Sequence, residues 1–270
     1  MHTLYRNARC RIAIVFLAMG MKLFGLGAVS AAETNLHLIY LPHRLTESSD
    51  KQYDRLLDEI FAGSELKVAR AASPMKRALA QFLSDRDSCI FPLSVKALHA
   101  VAEPDAIVSS ELVDIVSLRL YTPTGDADRA FTSIDDFDPS RIGYIAGSGT
   151  VQGLGPNHEL FVPVPSEKQL IRMLELGRLD AFLGHHPDTA LALEDLKRPG
   201  LLRVSPITVS NVRFPISFVC HDTAGGRAFM DEVNPRIRQL HQNGEIRRVL
   251  GPHANLPTDA EDALGAQVSQ

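Results

Sequence analysis

The sequence predicts an α/β fold built on mostly parallel sheet flanked by helices. Three observations carry this. Short apolar runs alternate with amphipathic stretches, the amphipathic stretches repeat at helical spacing, and Gly, Pro or Ser separates one kind from the other. Alternation of this kind is what a parallel sheet with crossover helices requires.

The first run, Leu36 to Leu41, reads as a strand, followed by polar turn residues from Thr46 to Asp50. Tyr53, Leu56, Leu57, Ile60 and Phe61 then fall on one helix face, and Gly63 stops the helix. Leu66 to Ala71 is a second strand. At Ser73-Pro74 the pattern predicts a helix start, with serine as cap and proline in the first helical position. Met75, Ala78, Leu79, Phe82 and Leu83 form its apolar face, and Cys89 to Pro92 is the third strand.

Val113 to Tyr121 reads as a longer strand leading to a loop from Thr122 to Asp126. Arg141 to Ala146 is a strand running into Gly147-Ser-Gly-Thr150. After the run from Leu160 to Val162, a helix from Ser166 to Leu176 closes on Gly177. Strands follow at Leu179 to Leu183, Leu201 to Val204 and Phe214 to Cys220. A long helix presents Phe229, Met230, Val233, Ile237 and Leu240 on one face, ends at Asn243-Gly244, and gives way to a helical turn from Glu245 to Leu250. The pattern is too long for one simple sheet, yet no Pro/Gly linker divides it into sequential domains.

Composition limits the function classes. The formal net charge is −4, the basic residues are scattered, and there is no tryptophan. A nucleic-acid surface needs a clustered basic face, so no nucleic-acid partner is expected. Residues 1–32 have the parts of a cleaved secretory signal: Arg6, Arg9 and Arg11 without an acid, an apolar run from Ile12 to Met21, and small residues from Ala28 to Ala32. The apolar run is about half the ~20 residues of a membrane span. Cleavage near Ala32 and a periplasmic location are the expectation. Cys10 would leave with the signal. Cys89 and Cys220 remain, and spacing leaves open whether they pair or stay as buried thiols.

Four segments, in order, resemble the family 3 extracellular solute-binding proteins, which share the two-lobed type II periplasmic-binding fold. They are Ser133 to Thr150, Pro165 to Ala181, Phe214 to Val219, and the closing helix with Asn243 to Ile246; Ser73 to Ala78 resembles the early helix of divergent members. The resemblance implies a first lobe from residues 33–112 and 214–257 and a second lobe from 113–213; from Gly251 the chain becomes Pro-, Ala- and Asp-rich, and 258–270 reads as a loose tail. It also implies a ligand in the cleft between lobes, hinge closure, a small-molecule ligand as partner, and an inner-membrane ABC permease as a further one. The chain is expected to be monomeric and to need no cofactor or metal.

The site expectations follow. Gly147 to Thr150, at a strand end and a helix start, predicts an anion cradle of backbone amides, with Gly149 and Thr150 at its centre. The resemblance places a ligand-clamping arginine where this chain has Ser94-Val-Lys96, so Ser94 and Lys96 become the candidate pair, with Arg77 as another cation. Lysine keeps the charge but loses the planar fork. Where amino-acid binders carry a second aspartate, five positions after Asp180, this chain has His185. An imidazole cannot replace a fixed negative charge opposite an ammonium, so the expected ligand is small and anionic or neutral polar rather than an ordinary amino acid. Asp180 is read as structural, hydrogen-bonding backbone in its turn. His185 and His186 alternate across a strand and are not expected to share a metal. No acid/base pair or nucleophile elbow is legible, and Ser148 lacks the Gly-x-Ser-x-Gly spacing. The chain is expected to be a binder feeding an ABC importer; a sensing subunit and a diverged dehydratase are the alternatives.

Overall fold

The computed structural model describes residues 36–41, 44, 51–64, 69–104, 106–126, 133–205 and 212–256. The signal segment, the tail beyond 256 and most of the turn after the first strand lie outside them. In chain order the elements are β1 (His37–Tyr40), α1 (Gln52–Ile60), β2 (Ala69–Ala72), α2 (Met75–Ser84), β3 (Ser88–Leu93), α3 (Val95–Val101), β4 (Ile107–Ser109) and β5 (Asp114–Pro123). Then come β6 (Ile142–Ile145), α4 (Val151–Leu154), β7 (Val162–Val164), α5 (Glu167–Glu175), β8 (Ala181–His186), α6 (Asp188–Asp195), β9 (Leu202–Val204), β10 (Arg213–His221), α7 (Ala224–Gln242) and α8 (Glu245–Leu250).

Two strand groups emerge from the pairing. In the first, β1 lies parallel between β2 and β3, and β10 runs antiparallel to β3 and β4. In the second, β6 is parallel to β7 and β8, while β5 runs antiparallel to β8 and β9. The groups meet through β5 and β10. Arg213 to Ile216 of β10 pair with Ser117 to Asp114 of β5, and a register shift at Ser217 to Val219 then turns the rest of β10 onto β3 and β4. One strand thus belongs to both groups.

The strands are continuous apolar runs because both their faces are covered, as crossover helices dictate. In β1, Leu38 and Tyr40 join the core that holds Tyr53, Leu57, Phe218 and Phe229, whereas Ile39 and Leu41 face the opposite way, toward Leu79 and Phe82 of α2. Phe91 stacks on Phe218 with ring centroids 4.4 Å apart, and Phe218 meets Phe229 edge-on. The second group has its own core, in which Phe182, Tyr121 and Ile145 pack against Leu170, Ile171 and Leu174 of α5.

Cys89 and Cys220 are direct cross-strand partners in β3 and β10. Their Cα atoms are 4.1 Å apart and a disulfide joins them across 131 residues of sequence. The question left open by spacing is settled by register. Closing so long a loop restricts the unfolded chain, an effect worth about 2–4 kcal/mol.

Some local expectations need correction. The cap of α2 is Pro74 rather than Ser73, and no side chain caps the helix. The Ser73 amide instead donates to the Tyr40 carbonyl, extending the strand register by one residue. Leu83, placed on the apolar face of α2, is 42% exposed, because the face turns away from the sheet at the last turn. Among the described residues no helix is long and apolar enough to cross a membrane.

Candidate functional site

The carboxyl ends of β1, β3 and β6 open onto one cleft, the place where α/β sheets bind ligands. Its volume is about 500 Å³, including the part open to solvent. Residues of the first strand group form one wall: Leu41 after β1, Leu79 on α2, and Ser94 and Ala97 around α3. The turn Gly147 to Gly149 and His185 of β8 form the other, and Val116, Phe214 and Ile216 of the joining strands make the floor.

The glycines let the walls touch. Gly147 has φ +80°, a conformation that strains any residue with a Cβ. At Gly149 space is the constraint: a Cβ would stand 2.6 Å from Ala97 Cβ and 3.1 Å from the Phe214 ring. The turn's backbone therefore lies directly on α3.

Behind this turn runs a chain of hydrogen bonds. Ser148 Oγ donates to Thr150 Oγ1 at 2.7 Å, and Thr150 Oγ1 is 3.3 Å from His185 Nε2. His185 Nδ1 stands 3.2 Å from Glu167 Oε1, which also accepts the His185 amide at 3.1 Å. Thr189 Oγ1 donates to Glu167 Oε2 at 2.8 Å. One proton assignment satisfies the whole chain: hydrogen on Nδ1 facing the carboxylate, with Nε2 accepting from Thr150. Gly184 makes room for it, since a Cβ there would clash with Thr189 Oγ1. The order hydroxyl, imidazole, carboxylate is that of a hydrolase triad. Thr150 is completely buried, however, and stands behind the residues that line the cleft.

The structure distributes the sequence-derived candidates unevenly. Ser94, Gly149 and His185 line the cleft, and Thr150 stands one layer behind. Lys96 and Arg77 are exposed and are not among the lining residues. In α3 the residues that face the cleft are Ser94 and Ala97, and helical spacing turns Lys96 outward. The amide cradle also takes another form. The Ser148 amide donates to the Ile145 carbonyl and the Thr150 amide to Ser148 Oγ, so the turn consumes those donors itself. The helix that follows has only four residues.

A second buried cluster ties both strand groups together. Arg44, 1% exposed, donates through Nη2 to Asp114 Oδ2 at 2.6 Å and through Nη1 to Gln52 Oε1 at 2.8 Å. Tyr53 donates to the same Asp114 oxygen at 2.8 Å, and the guanidinium lies 5.3 Å from the Tyr53 ring centre. The Arg44 amide donates to Asp188 Oδ1 at the start of α6, and Gln52 Nε2 donates to the Leu250 carbonyl at the end of α8. Burial pushes the Asp114 carboxyl up, opposed by the Arg44 charge and the Tyr53 hydroxyl. Burial likewise holds the Tyr53 hydroxyl well above its ordinary value, so it stays a donor. The sequence held one signal for this cluster, an aspartate opening an otherwise apolar strand. The turn residue that answers it is 70 positions away.

Asp180 is tied to Arg141. It takes a bidentate pair from Arg141, Nε to Oδ2 and Nη2 to Oδ1, both at 2.7 Å, while its own amide donates to the Arg141 carbonyl. His185 and His186 do part across β8: His186 Nδ1 stands 3.4 Å from the Tyr121 hydroxyl, outside the cleft lining. Among the described residues no three His, Cys, Asp or Glu side chains gather as a metal site.

No family model matches the chain, and no curated protein matches it. Solved structures do. A histidine kinase sensor domain with similarity to periplasmic binding proteins aligns at TM-score 0.66 and 10% identity, covering 82% of this chain and 98% of that one. An ABC uptake transporter substrate-binding protein from Streptococcus pneumoniae, with bound histidine, aligns at TM-score 0.64 and 13% identity over 83% and 95%. The GluR0 ligand-binding core from Nostoc punctiforme, in complex with glutamate, aligns at TM-score 0.61 and 13% identity over 79% and 96%. At these identities the likeness establishes the fold. The chain has the two-lobed periplasmic-binding fold.

Proposed function

We propose that this chain is an exported receptor that captures a small molecule in the cleft between residues 94–97 and 147–149 and presents it to an ABC importer in the inner membrane. The observation that carries the reading is the cleft's composition from both strand groups, with β5 and β10 as the only strands among the described residues that join them. A cleft so built changes shape when the joining strands flex, which is how a ligand is enclosed. On this reading the lobes are residues 33–112 with 214–257, and 113–213. Export fits the Cys89–Cys220 disulfide, which persists in oxidising compartments. We assign no catalytic step: the hydroxyl nearest the imidazole is buried behind the turn.

The test is a melting-temperature screen of metabolites on the chain lacking residues 1–32, free of any assumption about ligand class. A ligand at a hundred times its Kd adds about 2.7 kcal/mol to stability. At least one metabolite is expected to raise the melt by several degrees, and uptake of that metabolite should fall when the gene is deleted. A screen in which no compound stabilises the protein sinks the receptor reading.

A sensing role is the second reading, favoured by the likeness to a histidine kinase sensor domain. It predicts a stabilising ligand without any loss of uptake on deletion.

A further inference from the structure

We infer that the cleft accepts an uncharged molecule with an aliphatic body and a single hydrogen-bonding head group held by Ser94. The inference rests on the receptor reading and narrows it: the anionic half of the sequence expectation drops out.

The wall residues decide the body. Leu41, Leu79 and Leu93 on one side, with Val116, Phe214 and Ile216 beneath, leave aliphatic surface facing the empty volume. Apolar surface of this kind is stabilised by apolar ligand atoms at roughly 25 cal/mol per Å² removed from water.

The charges decide what is excluded. Among the described residues lining the cleft there is no Asp, Glu, Lys or Arg. A carboxylate or ammonium that entered would lose its water and find no opposite charge among these described lining residues, the arrangement that buried ions do not tolerate. The nearby cations do not rescue it. Lys96 and Arg77 are exposed, and Lys76 lays its side-chain carbons against Gly147.

The polar groups decide the head. His185 has Glu167 at one ring nitrogen and Thr150 at the other, and the Ser148 hydroxyl is spent on the same chain. Tyr53 donates to Asp114. Ser94 differs. It lines the cleft at 2% exposure and stands at the start of α3, yet its side chain makes no capping hydrogen bond and is otherwise uncommitted among the described residues. A buried hydroxyl offers one donor and two acceptor sites, which suits an amide, carbonyl or alcohol.

The experiment is isothermal titration calorimetry with four probes of matched skeleton or polarity: 4-methylpentanamide, 4-methylpentanoate, leucine and glutamine. The chain has no tryptophan, so heat is a better readout than intrinsic fluorescence. The amide is expected to bind at least tenfold more tightly than the carboxylate, with no heat from the two amino acids. Ser94→Ala should weaken the amide about three- to tenfold, one neutral hydrogen bond, and leave the unliganded melting temperature unchanged. Leucine, glutamine or 4-methylpentanoate binding as tightly as the amide overturns the inference and leaves the receptor reading standing. Silence from all four probes also overturns it, and the unrestricted metabolite screen then says whether the receptor reading falls too.

Discussion

Gly149 and Ala97 face each other across the cleft so closely that a Cβ on the glycine would stand 2.6 Å from the alanine's own Cβ. The two walls are in backbone contact there, and no side chain can be added without moving one of them.

Gly149→Val tests that contact. The added branches push the 147–149 turn off α3, at a cost of about 1–3 kcal/mol in the closed state. Ligand affinity should drop at least tenfold, and small-angle scattering should show a larger radius of gyration without ligand. Wild-type affinity in the valine variant would mean that the walls do not need to meet.

The Arg44–Asp114 pair should respond asymmetrically. Asp114→Ala leaves a guanidinium buried without its carboxylate, and loss of one partner from a buried pair costs about 3–5 kcal/mol. Urea denaturation measures it. Replacing both, Arg44→Met with Asp114→Leu, removes the orphaned charge and should recover a large part of the loss. A single variant within 1 kcal/mol of wild type, on the order of an exposed pair, would show that the pair is solvated.

His185 should carry its proton on Nδ1. Long-range nitrogen–proton spectra of the imidazole are expected to show that tautomer in the wild type and a mixture in Glu167→Ala, where the carboxylate that fixes it is gone. An Nε2-protonated ring in the wild type would reverse the hydrogen-bond chain from Ser148 to Glu167.

Two carboxylates, Asp138 and Glu245, should titrate low. The Ser140 hydroxyl, then its amide, holds Asp138 below the ordinary 3.8, and the Arg248 side chain holds Glu245 below 4.5. A lowered folded value means that each contributes stability above its unfolded pKa and loses it as pH falls through the folded one. Carboxyl-carbon NMR titration reads both midpoints directly. A midpoint at or above the ordinary value removes the corresponding contribution.

The long elements were legible in the sequence for physical reasons. α1 and α7 bury every third or fourth residue, and β3 and β10 are apolar on both faces, so periodicity found them. What escaped notice was short or nonlocal. α3 has seven residues and no side-chain cap, β4 has three, and α6 begins after Pro187 without a cap bond. At the site, chain position brought Ser94, Gly149 and His185 to attention, and all three line the cleft, because strand ends determine which residues reach it. It could not say that Lys96 turns outward, nor that the Ser148 and Thr150 amides are used within the turn. The Arg44 cluster was beyond it altogether, since its members come from five separated stretches of chain and only folding gathers them.

The disulfide has a mechanical consequence. Pull the protein by residues 36 and 256, and tension reaching β3 passes through the sulfur bridge into β10 without entering the 131-residue ring between. The second strand group then hangs as an unloaded loop, holding roughly 430–470 Å of hidden contour length at ~3.3–3.6 Å per residue. That length is released only by a reductant. A stretched, oxidised molecule would lose the strands and helices outside the ring while the second strand group, shielded from the load, stayed folded.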